Sequence, residues 1–273
     1  MEMKLLRAKS KNKKQSQMKI CYINHSCFLV ELDKAVLLFD YYSEGLAEDG
    51  IVPGLSGLNK AVEKPGVEAG GVQVDKPVYV FVSHKHRDHF DRKIFGLEQM
   101  CPCVTYVISK DARMNENYMR RLGIPETAWK KIRYVGKNER YVFTDSVEDV
   151  VVTTLASTDA GVAFVVQTDG KTIYHAGDLN WWSWKGETEA EAIDMERRFK
   201  QEIGKLKGLT IDIAFLPLDP RQEKRFYWGF DYFMRNTDTK LAYPMHFWGD
   251  HSVIGRLKEM EVSEPYRGKI VEI

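Results

Sequence analysis

The sequence is short of cysteine. Only Cys21, Cys27, Cys101 and Cys103 occur in 273 residues. That is too few for a disulfide-built scaffold, and reduced thiols suit a cytoplasmic protein. "CPC" at 101–103 has CxC spacing rather than the CxxC of redox and zinc motifs, so it reads as structural. No run of about eighteen apolar residues occurs, so neither a transmembrane helix nor a membrane partner is expected. The N-terminus has no apolar stretch between its charges and no cleavage site, unlike a secretory leader. Net charge is lacking as well. Lys and Arg number 40 against 39 Asp and Glu, for a formal charge of +1, which removes the global electrostatic case for nucleic acid or a membrane surface. Positive charge collects only in residues 1–17, "MEMKLLRAKSKNKKQSQ", with six Lys or Arg and one Glu. This reads as a disordered, solvated tail; with no aromatics to stack on bases it makes a poor RNA-binding arm. A GxSxG elbow is missing too, and no cysteine sits in a catalytic context, so a serine or cysteine nucleophile is not expected.

What is present is a large apolar fraction, 44%, enough for a substantial core. No Ser/Pro/Gly linker divides the chain, so residues 18–273 are expected to form one domain after the tail. "MKICYI" (18–23), "CFLVEL" (27–32) and "AVLLFDY" (35–41) read as a meander of strands separated by short polar turns. Residues 43–76, rich in Gly, Pro, Asp and Glu, form a long irregular connection of the kind that often serves function. "PVYVFVS" (77–83) is a continuous apolar strand, the buried type. "DRKIFGLEQM" and "DARMNENYMRRLG" read as helices, the second with Asp111 as N-cap and Gly123 just past its end. "CVTYVIS", "VEDVVVTTLA", "GVAFVVQT" and "KTIYHAG" read as strands, the last two joined by a hairpin at Asp169–Gly170. Helices near 187–206, 226–237 and 250–260 alternate with strands "IDIAFLPL", "LAYPMHF" and a final "KIVEI". Sheets inside and helices outside follow from that order.

The chemistry concentrates in "VSHKHRDHF", residues 82–90. Three of the seven histidines lie there with an aspartate. Side chains alternate along an extended chain, so His84, His86 and Asp88 can face one way. His89, at the turn that follows, can swing back to them. Imidazole with carboxylate suits Zn²⁺, Mn²⁺ or Fe better than Ca²⁺ or Mg²⁺. Four donors in six residues are too crowded for one ion, which hints at two. Two later strands also end in a potential ligand, "KTIYHAGDLN" at Asp178 and "LAYPMHFWGD" at His246. A carboxylate such as Asp178 can bridge two ions, and His246 can complete the second.

The ordered set "SHKHRDH" (83–89), "YHAGD" (174–178) and "PMH" (244–246) resembles the metallo-β-lactamase fold hydrolases. The opening "NHSCFLVEL" with "VLLFD" is similar to the branch of ascorbate-phosphate lactonase-like enzymes. The resemblance spans about residues 18–273. It implies an α/β fold, a four-layer αββα sandwich with the metal site on one edge. It also implies that His84 and His86 hold one ion, that Asp88, His89 and His246 hold another, and that Asp178 bridges them. One departure stands out. The family's usual third histidine for the first ion is missing from "LASTDAGVAF" (155–164), where Asp159 is the best substitute, although Asp at such a place also caps turns.

Other residues have two readings. His25 lies in a tight turn where this branch often places a histidine near the active site, and where a surface histidine is equally natural. Trp181, Trp182 and Trp248 follow the proposed ligands; they either wall a substrate pocket or pack helices on the sandwich. "RQEKRFYWGF" (221–230) adds cations for an anionic substrate. His175 reads as a satisfied buried histidine and His251 as a solvated helix start. The reaction expected is attack by a metal-bound hydroxide on an ester, lactone, amide or phosphodiester of a small-molecule substrate. Asp178 and Asp88 would serve it catalytically. A nuclease or phosphodiesterase on the same site, and a non-catalytic metal-binding protein, are the alternatives.

Overall fold

The computed structural model describes residues 18–44, 76–144 and 148–273. The basic tail and most of the connection at 43–76 lie outside these residues. Three apolar runs near the start form the expected meander: β1 (Lys19–Asn24), β2 (Cys27–Glu31) and β3 (Val36–Phe39) pair antiparallel. Then β4 (Val78–Val82), β5 (Val104–Ser109) and β6 (Ile132–Val135) add on in parallel, giving a six-stranded sheet in the order β1-β2-β3-β4-β5-β6. A second sheet contains β7 (Arg140–Phe143), β8 (Val150–Ala156), β9 (Val162–Thr168), β10 (Lys171–His175), β11 (Thr210–Pro217) and β12 (Asp238–Met245), in the order β12-β11-β10-β9-β8-β7. Strands β7 to β10 pair antiparallel, and β10, β11 and β12 run parallel.

The unbroken apolar runs follow from burial on both faces. Phe28, Val30, Leu37, Phe39, Tyr79 and Phe81 point into a core shared with Phe164, Ile173 and Phe215 of the second sheet. Their alternates Cys27, Leu29, Val36, Leu38, Val78, Val80 and Val82 form an outer core with Ile94, Phe95, Leu97 and Met119. Between the sheets, Phe28 stacks on Phe215 at 4.1 Å and Phe81 meets Phe164 edge-on at 5.2 Å. Each such buried ring contributes about 1.5–3 kcal/mol. Helices α1 (Glu116–Arg121) and α2 (Glu126–Trp129) lie on the first sheet with a 3-10 helix over Arg92–Gln99. Helices α3 (Glu189–Gly204), α4 (Trp228–Asn236) and α5 (Ser252–Glu259) join the core of the second. The result is the four-layer αββα sandwich.

Local chemistry explains most element ends. Asp169 and Gly170 both have positive φ (52° and 66°), the backbone of a type I′ hairpin turn. Helix α3 starts on a capping box between Thr188 and Glu191. Some expectations change. Helix α1 is capped by Asn115, whose side chain accepts from Tyr118 N–H at 2.8 Å, not by Asp111. Residues 110–112 form a separate 3-10 turn, and the extended backbone of Arg113 ends it before α1 begins. Arg92–Gln99 is 3-10 rather than α-helical. "KIVEI" forms only an isolated bridge, Ala242 with Ile270. Strands β6 and β7 were not legible: each has four residues, lies at a sheet edge and carries an exposed arginine, Arg133 or Arg140. All four cysteines are free. Among the described residues no helix is long and apolar enough to cross a membrane.

Candidate metal centre

Parallel strands bring their C-terminal ends to one edge of the sandwich. There β3 leads to Asp40, β4 runs into Ser83 and His84, β10 leads to Asp178, β11 to Asp219 and β12 to His246. The turn between β1 and β2 adds His25. Two glycines let the sheets close on the motif. A Cβ at Gly161 (φ +64°) would lie 1.9 Å from the Ser83 carbonyl oxygen, and one at Gly177 (φ +51°) 2.7 Å from Ser83 Cβ. Val162 N–H donates to that same carbonyl at 3.0 Å.

Three imidazoles converge on one carboxylate. His84 Nε2 lies 3.2 Å from Asp178 Oδ2; His89 Nε2 and His246 Nε2 lie 3.2 and 3.4 Å from Oδ1. His86 is exposed, with its ring 4.5 Å from that of His84. Asp88 Oδ2 lies 3.9 Å from His89 Nε2 and 3.3 Å from His25 Nε2. Two sets of donor atoms gather within 4.8 Å of one another, His84 with His86 and Asp178, and His25 with Asp88, His89 and His246.

The opposite ring nitrogens are held by hydrogen bonds. His89 Nδ1 lies 2.8 Å from Asp40 Oδ2 and His246 Nδ1 3.0 Å from Asp219 Oδ2. Carboxylates only accept, so both Nδ1 atoms carry the proton. His84 Nδ1 lies 2.9 Å from Ser83 Oγ, whose hydroxyl donates to Asp40 at 2.6 Å. The serine proton is thereby used, and His84 must donate to Oγ. All three rings therefore turn Nε2 rather than Nδ1 toward Asp178, the nitrogen whose proton a metal ion would displace on binding. A third set of donor atoms, Asp40 with His84 and His89, falls on this orienting side. Asp40 is already satisfied there, since it also accepts from Ser83 N–H at 2.7 Å.

Distances distinguish the two sides of each ring. Two donors about 2.1 Å from one ion at a tetrahedral angle stand about 3.4 Å apart. The Nε2 contacts of 3.2–3.4 Å fit that spacing and are longer than the Nδ1 hydrogen bonds of 2.8–3.0 Å. Buried His84 Nε2, His89 Nε2 and Asp178 Oδ1 have no hydrogen-bond partner. Atoms orphaned in this way, facing one another, fit a shared cation. The electrostatics agree. Burial would raise the Asp178 carboxyl, but His89, His246 and His84 hold it well below the ordinary range. Burial would lower His89, yet Asp178 and Asp40 push it well above its usual value. Burial likewise opposes the charge of Asp219, but His246 and Arg221 bring it down to about 2. The carboxylates stay charged because positive charge is close.

The sequence-predicted residues divide. His84, His86, Asp88, His89, Asp178 and His246 come together, and so does His25, which is buried. Asp159 is exposed and belongs to none of the three sets; its backbone N–H donates to Ser157 Oγ, as in a turn. Trp182 is buried, donates from Nε1 to the Asp178 carbonyl at 3.0 Å and lies 5.4 Å from the His246 ring. Trp248 lies 4.5 Å from His25 and 5.7 Å from His246. Trp181 turns away to Trp228, Tyr232 and Phe199, packing α3 on α4. His175 is buried and satisfied, 2.8 Å from the Ser26 carbonyl, and His251 lies exposed just ahead of α5. Asp40, Ser83 and Asp219 went unread. Their only signal was an apolar strand ending in a polar residue, "VLLFD", "VYVFVS" and "AFLPLD".

A family model described as "Beta-lactamase superfamily domain" matches residues 19–195. No match appears among curated proteins. Among solved structures, a protein from Parabacteroides distasonis ATCC 8503 classed as a metal-dependent hydrolase is similar at 18% identity and a TM-score of 0.57, over 96% of this chain and 95% of its own. Igni18, a metallo hydrolase from Ignicoccus hospitalis KIN4/I, has 16% identity and a TM-score of 0.56, with 94% of each chain covered. CmlA, a diiron β-hydroxylase from Streptomyces venezuelae, has 11% identity and a TM-score of 0.51, over 95% of this chain and 48% of its own. At these identities the likeness is one of fold. The family match covers well over half of the sequence, including the histidine motif and Asp178, and the chain belongs to the beta-lactamase superfamily.

Proposed function

We propose that the protein is a metal-dependent hydrolase of small molecules with two metal positions sharing Asp178. The observation that carries this is the convergence of three oriented Nε2 atoms on a buried carboxylate, with His84 Nε2, His89 Nε2 and Asp178 Oδ1 left without a hydrogen-bond partner. His84, His86 and Asp178 form the first position; Asp88, His89, His246 and Asp178 form the second. Zn²⁺, Mn²⁺ and iron suit these donors. Such an ion lowers the pKa of bound water toward neutrality and polarises an ester, lactone, amide or phosphodiester.

The chain's own residues do the rest. Asp178 and Asp88 stay ionised beside the imidazoles and would orient the nucleophile. Asp40 and Asp219 hold the imidazoles in their tautomer. Trp182 and Trp248 flank His246; Trp182 is buried against that ring, and Trp248 is half exposed. Arg221, paired with Asp219, lies 4.5 Å over Trp248 and 5.6 Å over Trp184 and is the cation we propose for an anionic substrate. The first position has fewer protein donors than the second. The turn carrying Asp159 packs against His84 through Gly161.

Metal analysis of protein purified without chelator tests the reading. Stoichiometric transition metal is expected, lost in Asp178→Ala together with hydrolysis across an ester, lactone and phosphodiester panel. Absence of bound metal would overturn it. Full loading with no turnover on the panel would overturn catalysis and leave a metal-binding protein.

A further inference from the structure

We infer that His25 is a direct protein donor to the second metal position, so that this position is richer in ligands than the first. The inference rests on the two-position reading above. His25 is 4% exposed, and its Nε2 is buried without a hydrogen-bond partner in favourable geometry. That atom lies 3.3 Å from Asp88 Oδ2, again the spacing of two donors on one ion, and gathers with His89 and His246 within 4.8 Å. The His25 ring lies 4.2 Å from that of His246 and 5.4 Å from that of His89.

The backbone shows that this placement is held against a cost. His25 is the first residue of the two-residue turn between Asn24 and Cys27, and its φ is +49°. Glycine favours that conformation, and a non-glycine residue there costs about 1–3 kcal/mol. His246 (φ +62°) and Trp248 (φ +52°) are strained in the same way. The three strained residues touch one another, and His246 N–H donates to the His25 carbonyl at 3.2 Å. The β1–β2 turn and the end of β12 are thus fastened together, with their imidazoles facing one point.

The consequence is asymmetry. His25, Asp88, His89 and His246 serve the second position beside the shared Asp178, against His84 and His86 at the first. The second position fills first and holds its ion; the first exchanges and keeps room for a reactant.

The test uses the full chain, stripped of metal and titrated with Co²⁺ or Zn²⁺ against a competing chelator. The wild type should bind in two steps. His25→Gly relieves the backbone but removes a buried ring, so a cooperative melt of the metal-free variant first establishes that it is folded. It should lose more than the roughly 10–100-fold that losing a ligand's hydrogen-bond partner costs in the tighter step, keep the weaker one, and regain affinity with added imidazole. Two unchanged steps in a folded His25→Gly protein would overturn the inference. X-ray absorption of wild type loaded with one equivalent gives an independent readout that needs no variant: three imidazoles per ion support the proposal, and two refute it. A wild type that binds no metal would instead overturn the two-position reading itself.

Discussion

Replacing Asp40 by Asn isolates the orienting role of a residue that never faces the proposed ions. Asp40 is fully buried and accepts from Ser83 N–H (2.7 Å) and Ser83 Oγ (2.6 Å), with His89 Nδ1 at 2.8 Å. Asn can keep its carbonyl on Ser83 N–H, but its NH₂ then occupies the place of Oδ2. A donor facing Nδ1 is satisfied only if Nδ1 gives up its proton, and the neutral ring then carries it on Nε2. That is the atom 3.2 Å from Asp178, and once protonated it has no lone pair for a metal. Partners of this kind are worth 10–100-fold in metal affinity, about 1.4–2.7 kcal/mol. The metal-free fold should lose roughly 1.5–3 kcal/mol as well, because a charged hydrogen bond becomes neutral or mismatched. Chelator competition measures the first effect and urea melting of metal-free protein the second. Ser83→Ala removes only the hydroxyl and should cost less in both assays. A folded Asp40→Asn protein with wild-type metal affinity would refute the tautomer argument.

Three further outcomes are expected. Gly161→Ala should destabilise by about 3 kcal/mol or more, since the new Cβ falls 1.9 Å from the Ser83 carbonyl at a positive φ; a small shift in melting temperature would contradict the packing described. Copper(II) or nickel(II) binding should quench tryptophan fluorescence mainly through Trp182 and Trp248, so Trp181→Phe should retain most of the quenching and Trp182→Phe should lose part of it. Burial raises the phenols of Tyr22 and Tyr41 to about 12 and the Cys101 thiol to about 11. The unfolded chain then ionises first, so these groups' contribution is whole below about pH 9 and is lost as pH rises through 11 to 12. Urea midpoints should fall between pH 9 and 11, and a flat profile would speak against it.

Residue pattern made the strands legible because burial on both faces demands continuous apolar runs, and "PVYVFVS" and "IDIAFLPL" satisfy that demand. It failed at β6 and β7, where short edge strands carry arginines and lack a period to detect. Asp111 looked like an N-cap by type, but Asn115 serves because Arg113 is extended. Six of the seven proposed ligands are gathered at one edge. Asp159 is not among them, since the pattern specifies a residue's place along a turn and not where its side chain reaches. Trp181 and Trp182 are neighbours in sequence, yet one packs helices and the other abuts His246; only the course of the backbone after Asp178 separates them.

By itself the sequence determined the layered fold and the donor chemistry, because apolar period and the choice of imidazole and carboxylate are properties of the local chain. Tertiary structure decided which of these side chains come together, which nitrogen of each ring faces Asp178, and that His25 lies beside them. Those depend on strand ends far apart in sequence meeting at one edge, and on buried carboxylates at Asp40 and Asp219 that no local pattern distinguishes from ordinary strand ends.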